Sequence, residues 1–292
     1  MNTKKNLPLL SLVSSMFIFG TIGIFVRFLP FSSSFIAMCR GYIGFIFIIL
    51  FMLISKTKAD FAAIKKNLAV LCISGIFIGF NWILLFEAYK YTTVARATLC
   101  YYLQPVFVML LSPVFVREKL TAKKLICALC ALIGMFFVSG AAKESEAHSA
   151  EIPGFIMGVG AAVLYALVIL LNKHLKDIGQ YETTSVQLLV AAIAVTPYTL
   201  FTDSMSYVFS PKNVLLLLFV GIVHTGFAYT LYFSSMKKLK AQTVAIFSYT
   251  DPVVAIILSS IVFSENIGFD GAMGAVLILG AAFVSEFFEN NR

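Results

Sequence analysis

The chain alternates between long apolar stretches and short polar segments from its first residues to its last. Ten of the stretches reach about the 20 residues that a helix needs to cross a bilayer. The pattern therefore predicts an all-α integral membrane protein with ten transmembrane helices. The predicted spans are Pro8–Val26, Ser34–Ile54, Asn67–Phe86, Val94–Phe115, Thr121–Ser139, Pro153–Leu171, Thr183–Phe201, Val214–Phe233, Ala241–Phe263 and Gly268–Phe288.

The composition narrows the class of protein further. Of the 292 residues, 60% are hydrophobic and 12% are charged. A soluble domain carries roughly 25% charged residues, because it must cover its surface with polar groups. The segments between the predicted spans are too short to form such a domain. The composition therefore excludes a soluble enzyme and a nucleic-acid-binding protein, and it makes the lipid bilayer the expected surroundings of the chain.

The net charge of +8 has a topological explanation. If both termini lie on one side of the membrane, sixteen lysines and arginines fall on that side and five on the other. Cytoplasmic loops of membrane proteins carry such an excess of basic residues. We therefore expect a multi-pass protein of the plasma membrane, the inner membrane in a bacterium, with both termini in the cytoplasm.

An internal repeat relates the two halves of the chain. When the sequence is shifted by 147 positions, residues 79–118 match residues 226–265 with eleven identities and no gap. Each half holds five predicted spans, and an odd number makes the second copy enter the membrane in the opposite direction. We therefore predict two inverted five-helix repeats. The first half is residues 1–142, the second half is residues 153–292, and a connector at 143–152 joins them outside the cytoplasm.

Inverted repeats are typical of secondary transporters, because two similar halves can exchange conformations around one central site. The residues also resemble a known family. The segments 86–93 (FEAYKYTT) and 117–120 (REKL), with Pro105 in mid-span between them, are similar to the signature of the EamA branch of the drug/metabolite transporter superfamily. Asp251-Pro252 and Ser264-Glu265 repeat this signature in the second half. The resemblance implies a pseudo-two-fold bundle whose central cavity is lined mainly by spans 1, 3, 4, 6, 8 and 9, with spans 5 and 10 at the periphery.

These observations together predict a secondary transporter that moves a small organic metabolite by alternating access. An amino acid, an aromatic compound or a cation is the expected substrate class, and export is the expected direction. A proton-coupled or facilitated importer is the alternative, with protons as the coupling partner. A channel-like protein is a further alternative, although the few polar positions cluster near one midplane region. The chain has neither a GxSxG nor an HExxH motif, so we expect no enzyme activity, no metal and no cofactor. The sequence pattern gives no indication of the oligomeric state.

Two prolines occupy equivalent mid-span positions, Pro105 in the first half and Pro252 in the second. A proline has no N–H to donate to the carbonyl four residues earlier, so each leaves a polar, bendable point in its helix. The equivalent placement favours a pair of hinges beside the cavity. The alternative is a static kink that neighbouring groups satisfy.

Polar and aromatic residues around these prolines are the candidate substrate-binding groups. We expect Gln104 and Asp251 to face each other across the pseudo-axis, with Asn81 on the third span nearby. An aromatic lining could accept a flat ring or, together with Asp251, a cation. For any single aromatic residue, the alternative is a core or interfacial position. The candidate aromatic residues are Trp82, Tyr101, Tyr102, Tyr229, Tyr232 and Tyr249.

Ionisable residues inside membrane spans are costly, so each of them is a candidate for charge pairing or coupling. Asp251 lies near the middle of the ninth span and is a candidate for binding a proton or a cationic group. The alternative is a structural acceptor or an ion pair with Arg40. Glu87 and His224 are the remaining candidates, with a solvated loop position and a packing role as their respective alternatives.

Overall fold

A computed structural model describes residues 3–92, 97, 100–138, 151–204, 207, 209–263 and 268–290. Within these residues the chain forms helices and no strand. The helices are α1 (Thr3–Arg27), α2 (Ser33–Ile54), α3 (Phe61–Tyr91), α4 (Gln104–Phe115), α5 (Ala122–Val138), α6 (Ile152–Asn172), α7 (Gln180–Thr202), α8 (Pro211–Met236), α9 (Ala241–Phe247), α10 (Thr250–Phe263) and α11 (Gly268–Asn290).

Six helices in the described part of the chain are long and apolar enough to cross a membrane, namely α1, α2, α3, α6, α7 and α8. Helices suit this environment because they satisfy all their backbone hydrogen bonds internally. The prediction of an apolar, all-helical chain is therefore confirmed at this level. The predicted ninth span is divided into α9 and α10, and part of the predicted fourth span lies outside the described residues, as does the connector before Glu151.

Local sequence explains where several helices begin. The Ser32 hydroxyl accepts a hydrogen bond from the Phe35 N–H at 3.1 Å and caps α2. The Asp60 carboxylate caps α3 in the same way, 2.9 Å from the Ala63 nitrogen. Such caps satisfy backbone donors that have no partner inside the helix. The cap at Asp60 explains why α3 begins six residues before the predicted span.

The helices pack in reciprocal pairs across the molecule. Helix α1 packs against α8 and α10, while α6 packs against α3 and α4. Helix α2 contacts α7 and α8, and α7 contacts α2 and α3. The contact of α4 with α9 joins the fourth and ninth predicted spans, and the contact of α5 with α11 joins the fifth and tenth. Glycines allow this close approach: a Cβ atom at Gly75 would lie 2.7 Å from the Val190 Cβ across the contact between α3 and α7.

Hydrogen bonds between loops define two ends of the bundle. At the lower end, the loops 55–60, 116–121, 173–179 and 237–240 meet; the Asn67 side chain, for example, makes two hydrogen bonds with the Lys176 backbone, at 2.8 and 3.0 Å. At the upper end, the Ser32 and Tyr207 hydroxyls both donate to the Asp203 carboxylate. Thr92 donates to Glu151 at 3.0 Å on the same end of α3 and α6. Successive loops thus alternate between the two ends.

Candidate functional site

A cavity of about 480 Å³ lies in the middle of the bundle. It is enclosed by α1, α2, α3, α6, α8 and α10 together with the turn that precedes α4. The described lining contains no residue of α5 or α11, which pack against each other. The polar and aromatic lining residues are Phe19, Ser33, Arg40, Asn81, Trp82, Phe86, Tyr101, Tyr102, Gln104, Tyr165, Tyr229, Tyr232, Ser248 and Asp251.

The cavity extends toward the upper end of the bundle. Its lining includes Val26 and Ser33, which stand at the upper ends of α1 and α2, and Phe86 near the upper end of α3. In the opposite direction the lining stops at Met16 and Ser248. None of the described lining residues belongs to the loops of the lower end. The described lining therefore reaches the upper ends of the helices and stops short of the loops at the lower end.

Arg40 on α2 places a positive charge in the cavity wall. Its Cζ atom lies 4.8 Å from the centre of the Trp82 ring, which is a cation–π distance. Its Nε donates a hydrogen bond to the Thr225 hydroxyl at 3.1 Å. That hydroxyl in turn donates to the carbonyl of Val220, five residues earlier, because α8 is π-helical over Val220–Phe227. These contacts hold the guanidinium group against the wall.

Asp251 in the first turn of α10 places a carboxyl group in the same cavity. The Tyr102 side chain is its hydrogen-bond partner. Both Arg40 and Asp251 belong to the described residues, and these contain no ion pair between the two. The cavity therefore presents a guanidinium group and a carboxyl group that form no ion pair with each other in the described structure.

The two candidate amides differ in their hydrogen bonding. The Asn81 amide nitrogen donates to the Ala161 carbonyl at 2.7 Å and so ties α3 to α6. Gln104 is 3% exposed, and its amide nitrogen has no hydrogen-bond partner in the described structure. A buried donor without a partner is unfavourable. Gln104 lines the cavity together with Asp251, so its amide is a candidate donor for a bound molecule.

Aromatic rings form a continuous wall beside these charges. The Trp82 and Tyr229 rings meet edge to face with their centres 6.5 Å apart, and Tyr229 contacts Phe19 at 5.1 Å. Tyr165 stacks on Tyr232 at 6.3 Å with 4° between the ring planes. These distances are typical of favourable aromatic pairs. The wall gives the cavity an apolar surface suited to a flat ring.

Three predicted candidates lie outside the described cavity lining. Tyr249 is fully buried, and its hydroxyl donates to the Tyr102 carbonyl at 2.8 Å. Glu87 pairs with Lys90 at 2.6 Å near the end of α3. The Nε2 atom of His224 lies 2.8 Å from the Thr21 hydroxyl, with Phe25 and Phe219 on its ring.

Each mid-span proline follows a break in its helix. Tyr102 and Leu103 form a two-residue turn before α4. Pro105 lies in the first helical turn of α4. Ser248 and Tyr249 form a similar turn between α9 and α10. The Ser248 carbonyl, which Pro252 cannot satisfy, accepts from the Asp251 N–H at 3.3 Å instead. The chain therefore has two interrupted helices at nearly equivalent positions.

Three residues at the site were not predicted from the sequence. Tyr165 lines the cavity from α6, seven residues after Gly158 on the same helix face. Gly20 on α1 lies so close to α10 that a Cβ atom there would be 2.7 Å from the Asp251 carbonyl oxygen. Thr225 orients Arg40. All three depend on contacts between distant helices, which the local sequence does not encode.

Comparison with known proteins identifies the family. The EamA-like transporter family matches residues 6–140 and again residues 152–287. The protein named "Uncharacterized transporter YxxF" from Bacillus subtilis (strain 168) is 29% identical over 94% of this chain and 88% of its own length. The aromatic amino acid exporter YddG of Ancylobacter novellus is 26% identical over 68% of this chain and 67% of its own length.

A solved crystal structure has the same fold. It superimposes with a TM-score of 0.84 at 18% identity and covers 100% of this chain and 99% of its own. The two family matches together span nearly the whole sequence. Members of this family are membrane transporters rather than enzymes, which agrees with the apolar helices and the central cavity. The chain is therefore a multi-pass membrane protein that belongs to the EamA-like transporter family.

Proposed function

We propose that the protein is a ten-span secondary transporter built from two inverted repeats, residues 1–142 and 153–292. The reciprocal packing supports this arrangement, because the contacts of α1 with α8 and α10 correspond to those of α6 with α3 and α4 under the shift of 147. The two separate family matches support the division into halves. Loops that alternate between the two ends support the opposite insertion of the second half.

The transport mechanism that we infer is alternating access. A cavity whose described lining reaches the upper end and stops short of the lower-end loops supports this mechanism, because one of two alternating states would have that form. The lower-end loops carry the basic excess, with Lys56, Arg117, Lys173 and Lys237 among them. By the positive-inside rule the lower end faces the cytoplasm, together with both termini. The described state is then open to the outside of the plasma membrane.

The substrate class that fits the cavity is a zwitterion with an aromatic or large apolar side chain. Arg40 suits a carboxylate, because its guanidinium group forms charge-assisted hydrogen bonds. Asp251 suits an ammonium group, and the Gln104 amide nitrogen provides a further donor for the carboxylate. The Trp82 and Tyr229 rings provide the apolar wall. A guanidinium group and a carboxyl group that line one cavity without an ion pair between them are the observation that carries this proposal.

Export is the direction that we propose, in line with the name of the Ancylobacter novellus relative. Proton-coupled or facilitated import is the alternative, in which Asp251 would carry the coupling proton. A channel is a further alternative. Vesicles preloaded with unlabelled substrate accumulate labelled substrate if the protein is a carrier, and they do not if it is a channel. Accumulation of labelled substrate that is driven by an imposed pH gradient indicates proton coupling.

The test compares three ligands of one shape: phenylalanine, phenethylamine without the carboxylate, and 3-phenylpropionate without the ammonium group. Each is titrated into purified protein while the emission of Trp82, the single tryptophan, is followed. We expect phenylalanine to bind about tenfold or more tightly than either analogue, since a hydrogen bond to a charged group contributes about 1.5–3 kcal/mol. Counterflow of labelled phenylalanine in proteoliposomes then tests transport.

Substitutions at Arg40 and Asp251 test which group of the ligand each side chain binds. Arg40→Gln should remove the advantage of phenylalanine over phenethylamine, and Asp251→Asn should remove its advantage over 3-phenylpropionate. Lys212→Gln is the matched control, because Lys212 lies at the upper end, 6.0 Å from the Phe28 ring and outside the described cavity lining. Equal binding of all three ligands to the parent protein would contradict the zwitterion proposal.

A further inference from the structure

At the lower end of the bundle, one carboxylate ties the beginning of α9 to the first half. Glu118 lies between α4 and α5 in the first half. Its Oε1 accepts a hydrogen bond from the Ala241 N–H at 2.8 Å, and its Oε2 accepts from the Gln242 N–H at 3.3 Å. Both donors belong to the first turn of α9 in the second half. One side chain thus binds the beginning of α9 in a bidentate manner.

The sequence of α9 provides no side-chain cap at the start of the helix, and Glu118 accepts hydrogen bonds from the backbone donors there. Its N-cap residue is Lys240, which makes no capping hydrogen bond through its side chain. An ammonium group has no acceptor, so it cannot satisfy the backbone donors at a helix start. Arg117, which precedes Glu118 in the chain, has a φ of 56°, a left-handed conformation that non-glycine residues adopt rarely. The tight turn places Glu118 next to α9.

A second contact supports the same junction. The Gln242 side chain donates to the Ser112 hydroxyl at 2.8 Å, and Gln242 is 1% exposed. Ser112 belongs to α4 in the first half. The first turn of α9 is therefore held by a residue of α4 and by a residue of the turn that follows it. The counterpart of Glu118 in the second half, Glu265, lies outside the described residues.

The position of α9 gives this junction a role in transport. The helix runs from the lower end, at Lys240, to the cavity lining at Ser248. It is separated from α10 by the break at Ser248–Tyr249 and contains only seven residues. Opening of the cavity toward the lower end requires this short segment to move away from α4. Its attachment to Glu118 is then what must be released.

We propose that Glu118 is a positioning residue for transport, which latches the first turn of α9 to the first half and so holds the cavity closed at the lower end. The proposal rests on the alternating-access mechanism inferred above. It assigns to Glu118 no contact with the substrate. Loss of the latch shifts the equilibrium between the two states toward the one open at the lower end.

The test measures from which side of the membrane water reaches the interior of α9. Ala245, fully buried in α9, is replaced by cysteine in a chain without its native cysteines. A membrane-impermeant maleimide is applied to right-side-out and to inside-out vesicles. We expect Glu118→Gln to increase labelling from the lower-end side about tenfold, which corresponds to about 1.4 kcal/mol. The glutamine keeps the length of the side chain but offers one acceptor oxygen instead of two.

A control separates the latch from a general effect of charge. Asp177 is an exposed carboxylate at the same end, paired with Lys66 at 2.9 Å, and its described partners do not belong to α9. Asp177→Asn should leave the labelling unchanged. An equal increase in this variant would overturn the proposal, because any lost carboxylate would then suffice. Labelling requires no substrate, so failure of the proposed transport function leaves this measurement valid.

A double variant separates the latch from simple capping of a helix. Lys240→Asp provides a local N-cap for α9 without a link to the first half. If Glu118 only caps α9, Glu118→Gln with Lys240→Asp returns the labelling to the parent level, and the proposal is overturned. If Glu118 is a latch, the labelling stays raised. Should Glu118→Gln fail to fold, Ser112→Ala removes the second contact, and an absence of increased labelling in that variant overturns the proposal.

Discussion

Buried polar side chains in this bundle fall into two groups that differ in purpose. Gln187 is fully buried, and its amide nitrogen donates to the Ser74 hydroxyl and, at 2.6 Å, to the Asn172 side chain. It joins α3, α6 and α7. Gln104 is nearly as buried, yet its amide nitrogen has no partner in the described structure. In the proposed function this unsatisfied donor serves a ligand, whereas the two hydrogen bonds of Gln187 serve stability.

Leucine substitutions at these two glutamines should therefore act in opposite directions. Gln104→Leu should leave the thermal unfolding temperature unchanged or raised while it weakens ligand binding about fivefold or more, because the donor is lost only to the ligand. Gln187→Leu should lower the unfolding temperature, since two hydrogen bonds worth about 1 kcal/mol each disappear. Thermal unfolding of the purified variants, with and without ligand, measures both effects. Destabilisation by Gln104→Leu would show that its role is structural.

At the scale of helices, the interrupted spans distinguish the site from its supports. Helices α4 and α10 each begin after a two-residue turn, and each contains a proline in its first turn. The cavity residues Tyr102, Ser248 and Asp251 lie within one or two residues of these turns. Helices α5 and α11 pack against each other and contribute nothing to the described lining. Bending at the breaks would change the cavity without disturbing that supporting pair.

Restoring the helical backbone at the breaks should slow transport more than it weakens binding. Pro105→Ala and Pro252→Ala each supply an N–H for a carbonyl one turn earlier, which stiffens the break and removes no side-chain contact with a ligand. Pro113→Ala is the matched control, because Pro113 lies inside α4 away from the break. Initial rates in proteoliposomes and binding by Trp82 fluorescence measure the two effects. Parent transport rates in both variants would mean that the prolines are static kinks.

At the scale of the whole molecule, the two halves are related but not identical. The reciprocal packing of α1 and α6 follows the repeat, as do the breaks before α4 and α10. The site departs from this symmetry. Arg40 comes from the first half and Asp251 from the second. Helix α8 is π-helical over Val220–Phe227, whereas the equivalent residues of α3 form a regular α-helix. Asymmetry of charge gives the cavity a direction for binding that a perfect repeat would lack.

The orientation in the membrane follows from the distribution of basic residues and can be tested with reporter fusions. Reporters fused after Arg292 and after Lys240 should be cytoplasmic, and a reporter inserted between residues 143 and 150 should be external. A fluorescent protein that folds only in the cytoplasm, paired with a phosphatase active only outside, reports each position. A cytoplasmic signal from the connector would contradict both the orientation and the inverted repeat.

The sequence by itself determined the class of protein and its helical character. Apolar stretches of spanning length, the scarcity of charge and the repeat are local or additive properties, because the bilayer imposes them on each helix separately. The prolines likewise marked the breaks from local backbone chemistry. The number of spans and the opposite insertion of the halves remain predictions that the packing supports.

Only the tertiary structure decided which polar groups share the cavity. Tyr249 was expected there and is buried behind Tyr102, while Tyr165 was not expected and lines the wall. Arg40 and Asp251 were considered as an ion pair and have none between them among the described residues. The link from Glu118 to α9 likewise appeared only in the fold. Such outcomes depend on how each helix is rotated against distant neighbours, and that rotation is set by packing rather than by the periodicity of any one helix.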